Sequence, residues 1–219
     1  MGACHINHRW KNHNPLIVKI GVQGKILPSY IRFFKPFEVL CQFTDQSGRT
    51  TLKDFISLPK IYAAGRLDYH SEGLLLLTND GSLIKRITDP QFEHPKIYYV
   101  QIEGTMTELA LELLRKTIVI PQLQTRLVNV DVIPEPDLPP RPKPVRPYHP
   151  KTWLKMTLYE GKKHQIRKMT AALGYPTLRL VRVAIGNITL NGLQPGEWEK
   201  LTRNELMILK AMTNKKFGM

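Results

Sequence analysis

Residues 134–150 hold eight of the chain's 17 prolines. Proline fixes its own φ and has no N–H to give to a strand ladder, so this stretch must be a loop, with regular elements ending before it and resuming after it. It also carries Arg141, Lys143 and Arg146. Two readings stay open: a stiff connector, or a basic flap laid on an anionic polymer. Before the loop, residues 30–34 read as a strand stopped by Lys35-Pro36, and 38–43 and 61–67 as further strands. Residues 74–77 are four leucines, a buried-strand run closed by the turn Asn79-Asp80-Gly81. Residues 96–103 and 126–133 complete the strands on this side. Short helices fit 51–56 and 82–88, and a longer one is signalled by a capping-box spacing of Thr105 and Glu108 ahead of an apolar stripe of Leu109, Leu113 and Leu114. After the loop come a strand at 151–159, a helix at 163–173 ending at Gly174, a strand at 178–185 and a last helix opened by Thr202 and Glu205 with Leu201 and Leu206 at staple positions. No regular strand–helix–strand rhythm and no internal repeat is present. The pattern predicts an α+β fold with a mixed, mostly antiparallel sheet. Residues 1–29 lack any period and read as a flexible basic tail, which leaves 30–219 as one folded unit.

The chain has 219 residues, 42% of them hydrophobic and 23% charged, enough to bury a core and unlike a disordered or fibrous sequence. The unusual property is charge. Lys and Arg number 32 against 18 acids, a formal net charge of +14, and the pI is about 9.8. That balance points to nucleic acid, with a merely solvated basic face as the plain alternative. Two cysteines, Cys4 and Cys41, cannot make a disulfide framework, which favours a reducing compartment. Nothing approaches the roughly 20 apolar residues of a membrane span. The N-terminus carries His5, His8, Arg9 and His13 in place of an apolar signal core, and Ile6 fails the myristoylation pattern after Gly2. A cytoplasmic protein is expected. For zinc, Cys4, His5, His8 and His13 would need a second ligand set at regular spacing, and none follows.

Nucleotide-cofactor signatures are missing. No Gly-x-Gly-x-x-Gly follows a strand, and Gly21-Val22-Gln23-Gly24-Lys25 has neither the spacing nor the Ser/Thr of a P-loop. The informative stretch is Gly65-Arg66-Leu67-Asp68, then Ser71-Glu72-Gly73, the four leucines, and Thr78-Asn79-Asp80-Gly81. An acid between a strand and a buried strand is well placed to face a cleft, so Asp68 is a candidate nucleophile or general base; on the residues alone a turn-capping aspartate, common at such sites, is the favoured reading. Asp68 with Glu72 would be the carboxylate pair of a glycosidase, although Glu72 at such a place is expected to be solvated. The densest basic segment runs from Glu160-Gly161 through Lys162, Lys163, His164, Gln165, Ile166, Arg167 and Lys168. On a helix Lys163, His164 and Arg167 share one face, suited to phosphate or to an arginine that meets a buried acid, while Ile166, Met169 and Leu173 face inward.

Taken in order, five motifs resemble those of the pseudouridine synthases that modify ribosomal RNA, in the branch of small-subunit synthase A. They are Phe34-Lys35-Pro36; Gly65-Arg66-Leu67-Asp68 with the Ser-Glu-Gly-Leu-Leu-Leu-Leu-Thr-Asn-Asp-Gly run; Lys96-Ile97-Tyr98-Tyr99-Val100; Glu160-Gly161 with Gln165-Ile166-Arg167; and Leu180-Val181-Arg182 through Ile185-Gly186. The resemblance spans residues 30–202. Phe37 departs from it, standing where many members have glycine. Fewer than 30 residues precede the first motif, leaving no room for the S4 domain with which many members begin.

The resemblance implies one catalytic domain in two halves around a cleft, and isomerisation of a uridine in ribosomal RNA, expected in the large subunit. It implies that Asp68 is essential, attacking the sugar or taking a sugar proton; that Arg167 pairs with it; that Tyr98 stacks on the uracil; and that Arg66 meets RNA where the base leaves the stack. Lys35, Lys162, Lys163, His164, Lys168 and Arg182 are the further expected RNA contacts. Neither a redox or nucleotide cofactor nor a metal is expected, since substrate and product have the same atoms, and a monomer without membrane attachment is the expected state. The competing reading is a catalytically idle RNA-binding or ribosome-assembly protein, which would not need Asp68, Tyr98 and Arg167 together.

Overall fold

The computed structural model describes residues 27–116, 118–120, 123–145, 150–190 and 192–214. Strand β1 (Tyr30–Lys35) is followed by the two-residue β2 (Tyr62–Ala63) and by β3 (Glu72–Thr78). Helix α1 (Gly81–Thr88) is capped by Asp80, whose carboxylate accepts from the Leu83 N–H at 3.1 Å. Next come β4 (Lys96–Glu103), α2 (Glu108–Arg115), the short pair β5 (Val119–Ile120) and β6 (Leu123–Gln124), and β7 (Asn129–Ile133). After the proline-rich segment lie β8 (Lys151–Leu158), α3 (Gln165–Ala172), β9 (Thr177–Ile185), β10 (Ile188–Thr189), β11 (Trp198–Lys200) and α4 (Arg203–Asn214). At the start of α4 Thr202 and Glu205 each accept the other's backbone N–H, the reciprocal box expected from the sequence.

One sheet runs through the described residues in the order β11-β1-β3-β9-β4-β8-β7, with β2 beside β3 and β10 beside β9. Only β3 and β9 pair in parallel among these strands, so the mixed, mostly antiparallel α+β architecture holds. The β3–β9 seam divides the sheet into two halves. Leu75 and Leu77 pack on one side of β3 with Ile31, Phe33, Val39 and Leu52, while Leu74 and Leu76 pack on the other with Leu83, Ile87, Ile185 and Leu209. Burial on both faces is why four consecutive leucines form a strand instead of alternating with polar residues. The second half has its own core, built from β4, β7 and β8 with α2 and α3 laid over them. The seam itself is tight: Gly73 has φ +107°, and a Cβ there would sit 2.2 Å from the Arg182 carbonyl oxygen, so glycine is required.

Several expectations are corrected. Residues 38–43 form no strand beyond an isolated Leu40–Thr51 bridge. Glu38 is left-handed, with φ 56°, and its N–H goes to the Tyr69 carbonyl at 2.9 Å, so this segment braces the Asp68 turn. The strand over 61–67 shrinks to β2. Helix α2 is capped by Thr107, not Thr105, and buries Ala110, Leu111 and Leu114 while Leu109 and Leu113 are exposed. Two overlapping stripes have helical spacing there, and docking on the sheet selects the one that sequence spacing did not favour. Most of the tail at 1–29, with Cys4, His5, His8 and His13, lies outside the described residues, as does Arg146. No helix among the described residues is long and apolar enough to cross a membrane.

The described part of the proline-rich segment, 134–145, is strapped down instead of forming a free flap. Arg141 turns inward, its guanidinium 4.4 Å above the Phe37 ring and 3.9 Å from the Glu72 carboxylate. Arg179 donates to the Pro139 carbonyl at 2.8 Å, and Lys143 reaches Glu38 at 3.3 Å. Phe37, the departure from the family motif, is the platform on which Arg141 lies.

Candidate active site

A cleft of about 710 Å³ opens at the seam between the halves, and Asp68 lies in its wall. The turn carrying Asp68 is closed by its own backbone, with the Ser71 N–H donating to the Asp68 carbonyl at 3.0 Å. The carboxylate therefore does no capping: its one ionic contact among the described residues is His164 Nε2 at 3.4 Å. That decides between the two sequence readings of Asp68 in favour of a carboxylate held open to the cleft. The preceding Leu67 is buried and its N–H reaches the Cys41 sulfur at 3.2 Å, fixing the segment that delivers the acid.

Beneath the turn sits Lys35, fully buried, with Nζ donating to the carbonyls of Pro36 and Ser71 at 2.7 Å each and of Tyr69 at 3.5 Å. Burial lowers its pKa to about 8, against the opposing pull of nearby Cys41, Glu72 and Asp68. Lys35 is thus a bracket for the turn, and the expectation of a phosphate contact is corrected. Arg167 holds the same turn from another side, donating to the His70 carbonyl at 2.8 Å and to the Thr177 carbonyl at 3.1 Å. The expected direct ion pair with Asp68 is replaced by this backbone clamp; burial lowers the Arg167 pKa, and Asp68 is close enough to oppose that shift.

Helix α3 starts at Gln165, two residues later than the sequence pattern suggested, so Lys163 and His164 precede it. His164 is left-handed, φ 55°. Its placement depends on a latch made from the Glu-Gly…Gln motif: buried Glu160 accepts from Gln165 Nε2 at 2.7 Å and from the Arg126 N–H at 3.0 Å, while Gln165 Oε1 takes the Lys162 N–H at 3.1 Å. These bonds, with Lys162, outweigh burial and lower the Glu160 pKa. Lys162 Nζ is spent on Glu160 at 3.1 Å and on the Gln124 carbonyl, which leaves Lys163, exposed beside it, as the free cation of the pair. Arg66 is exposed at the rim and Lys168 half-buried on α3.

Tyr98 is 9% exposed and lines the cleft from β4, opposite Arg182 on β9. Arg182 is buried, with Nε on the Leu74 carbonyl at 2.8 Å, and lines the cleft instead of the outer surface. Glu72 is buried too, gripped by Arg179 through two bonds of 3.0 and 2.9 Å, and it does not line the cleft. The solvated Glu72 and the glycosidase pair are both overturned. Sequence reasoning gave no role to Lys96, Ser71 or Cys41, all of which line the cleft. Lys96 stood in a quoted motif, and a lysine at the head of an apolar strand was the available signal.

The RNA pseudouridylate synthase family matches residues 29–172, from the first strand through α3 and across Asp68, Tyr98 and Arg167. The chain belongs to that family. Among curated synthases, ribosomal large subunit pseudouridine synthase E of Vibrio vulnificus is 49% identical over 174 residues, covering 78% of this chain and 74% of its own length. The synthase of the same name from Xanthomonas campestris pv. campestris is 48% identical over 169 residues, covering 75% of this chain and 90% of its own. A crystal structure of a pseudouridylate synthase superposes with a TM-score of 0.71 at 28% identity, over 84% of this chain and 74% of that one. The pseudouridine synthase fold is therefore the frame in which the Asp68 turn, the β3–β9 seam and the α3 latch stand.

Proposed function

We propose that this synthase isomerises a uridine of large-subunit ribosomal RNA to pseudouridine, with Asp68 as the acting carboxylate. The observation that carries the reading is the Asp68 side chain, free of any capping duty and open to a cleft beside Tyr98. The named relatives, which are large-subunit synthases, supply the substrate class. The reaction breaks the N1–C1′ bond, turns the base and joins C5 to C1′. Atoms are conserved, so no redox partner or energy source enters. A carboxylate can serve either by bonding to C1′ or by taking the C2′ proton.

To reach the cleft the uridine must leave its stack, at a cost of a few kcal/mol, which ring stacking on Tyr98 and contacts outside the cleft offset. Arg66, Lys163 and His164 at the rim are suited to the phosphates flanking the flipped nucleotide, setting affinity without reading sequence. Choice of site then falls to RNA shape. Ribosomal RNA as substrate suits the cytoplasm. The test is a map of pseudouridines in ribosomal RNA from cells with and without this protein. One position should be lost from large-subunit RNA; an unchanged map contradicts the reading.

A further inference from the structure

Two buried polar groups lining the cleft lack any partner: Arg182 Nη2 and Ser71 Oγ. Arg182 is 3% and Ser71 1% exposed, and an unpaired guanidinium N–H at such a place is costly unless something else fills its bonding capacity. The other unpartnered buried side chains among the described residues, such as His94, Gln101 and Trp153, do not line the cleft. Arg182 is also not the only cation on the cleft floor. It stands opposite Tyr98 across the β4–β9 ladder, and Lys96 begins the same strand two residues before Tyr98. Lys96 lines the cleft as well, and its Nζ has a single bond, to the His94 carbonyl at 3.3 Å. Burial, and next the Arg182 charge, lower the Lys96 pKa to about 8. Two cations line the cleft beside Tyr98, close enough for the charge of one to bear on the other, an arrangement that an incoming negative charge would relieve.

We propose that Arg182 and Lys96 bind the carbonyl oxygens of the flipped uracil and stabilise the negative charge that develops on the base as it leaves the sugar. The proposal rests on the isomerase reading above and adds a site for its leaving group. When N1–C1′ breaks, the bonding pair departs with the base, and N1 shares the charge with O2 and O4. C1′ is satisfied either by a bond from Asp68 or by loss of the C2′ proton to Asp68. The charge is returned when C5 bonds to C1′ as the Asp68 ester breaks or as C2′ takes its proton back from Asp68, and the transfer of the C5 proton to N1 completes the isomer. Donors fixed before the reaction and aimed at atoms where charge appears act more strongly on the transition state than on the ground state. Ser71 Oγ, at the end of the Asp68 turn, supplies a further donor for the base or the ribose.

The experiment compares wild type, Arg182→Met, Arg182→Lys and Lys96→Met on one ribosomal RNA fragment at saturating protein, with single-turnover rates and RNA Kd measured separately. Arg182→Met should slow bond cleavage by about 10²-fold, the usual loss of one preorganised donor, while Kd stays within about twofold. Arg182→Lys should fall between. The distinguishing readout uses RNA carrying 5-fluorouridine at the target, followed as disappearance of the intact nucleoside. Fluorine withdraws charge from the leaving base, so the Arg182→Met defect should be smaller on that RNA. Lys96→Met removes a buried charge without opening the β3–β9 seam, and it should show the same smaller defect even if Arg182→Met does not fold. An equal defect on both RNAs, a defect confined to Kd, or no defect overturns the proposal while leaving the isomerase reading intact. A wild-type protein that makes no pseudouridine overturns both.

Discussion

The rim of the Asp68 turn and its underside are both rich in Lys and Arg, yet the two regions use charge in opposite ways. At the rim Arg66 and Lys163 are exposed, and His164 reaches Asp68 from a half-exposed position. Beneath the turn Lys35, Arg167 and Arg179 are buried or half-buried, and they donate to backbone carbonyls or to Glu72. A net charge of +14 therefore does not translate into a surface of that strength. Part of it is internal framework that holds one short turn in place, while Arg66 and Lys163 at the rim stay open to phosphates.

The largest separation of the two regions is expected at Arg167. Arg167→Leu removes the clamp on the His70 carbonyl, so the single-turnover rate should fall by about 10²-fold or more, as misplacement of a reacting group does, while RNA Kd changes little. A loss confined to Kd would move Arg167 to the rim. Next in size is the buried ion pair. Arg179→Met leaves Glu72 in the interior with only Arg141 at 3.9 Å, and urea unfolding should show a loss of about 3–5 kcal/mol. A loss below about 1 kcal/mol, the scale of exposed pairs, would mean that Glu72 is solvated.

Lys35 gives a pH signature. Its folded pKa is about 8 against an ordinary 10.5, so between those values the unfolded chain holds more protons, and stability should rise with pH across that window. Below pH 8 the full cost of burying the charge is present. Lys96 is shifted the same way and adds to the rise. Unfolding of Lys35→Met across pH 7 to 10.5 should show a shallower rise than wild type; an identical slope would place the Lys35 ammonium in solvent. The smallest effect belongs to the rim. Lys163→Ala should flatten the slope of log K against log salt by about 0.7–1 unit, one phosphate contact, whereas Lys162→Ala should change it less because Glu160 already neutralises that ammonium. Equal slopes for the two variants would show that the latch does not hold Lys162 away from RNA.

Much of the fold was legible in the sequence because its signals were local. The strand at Lys96–Glu103 is rich in aromatic and β-branched residues, the four leucines match a strand covered on both faces, and the Thr202–Glu205 box starts α4 as its spacing predicts. The order of motifs carried the family and put Asp68 and Tyr98 on one cleft. What could not be read was which cations point inward. Lys35 is buried because carbonyls from residues 36, 69 and 71 converge on it, and Arg141 because Phe37 and Glu72 await it; neither convergence has any local signature. The same holds for His164. Its left-handed backbone before α3 is set by the Glu160–Gln165 latch, and the late start of that helix removed the shared basic face that spacing alone had drawn.

The central claim is that an uncommitted carboxylate in this cleft isomerises uridine, and that the rim, not the carboxylate, holds the RNA. Release of tritium from C5-labelled uridine in large-subunit ribosomal RNA tests it most directly, with wild type and Asp68→Asn compared at matched RNA occupancy. Asparagine keeps the shape of the side chain but can neither bond to C1′ as a carboxylate nor take a proton. Wild type should release label with turnover, while Asp68→Asn should bind the RNA equally well and release none above background. Release by Asp68→Asn at a rate near wild type would contradict the account.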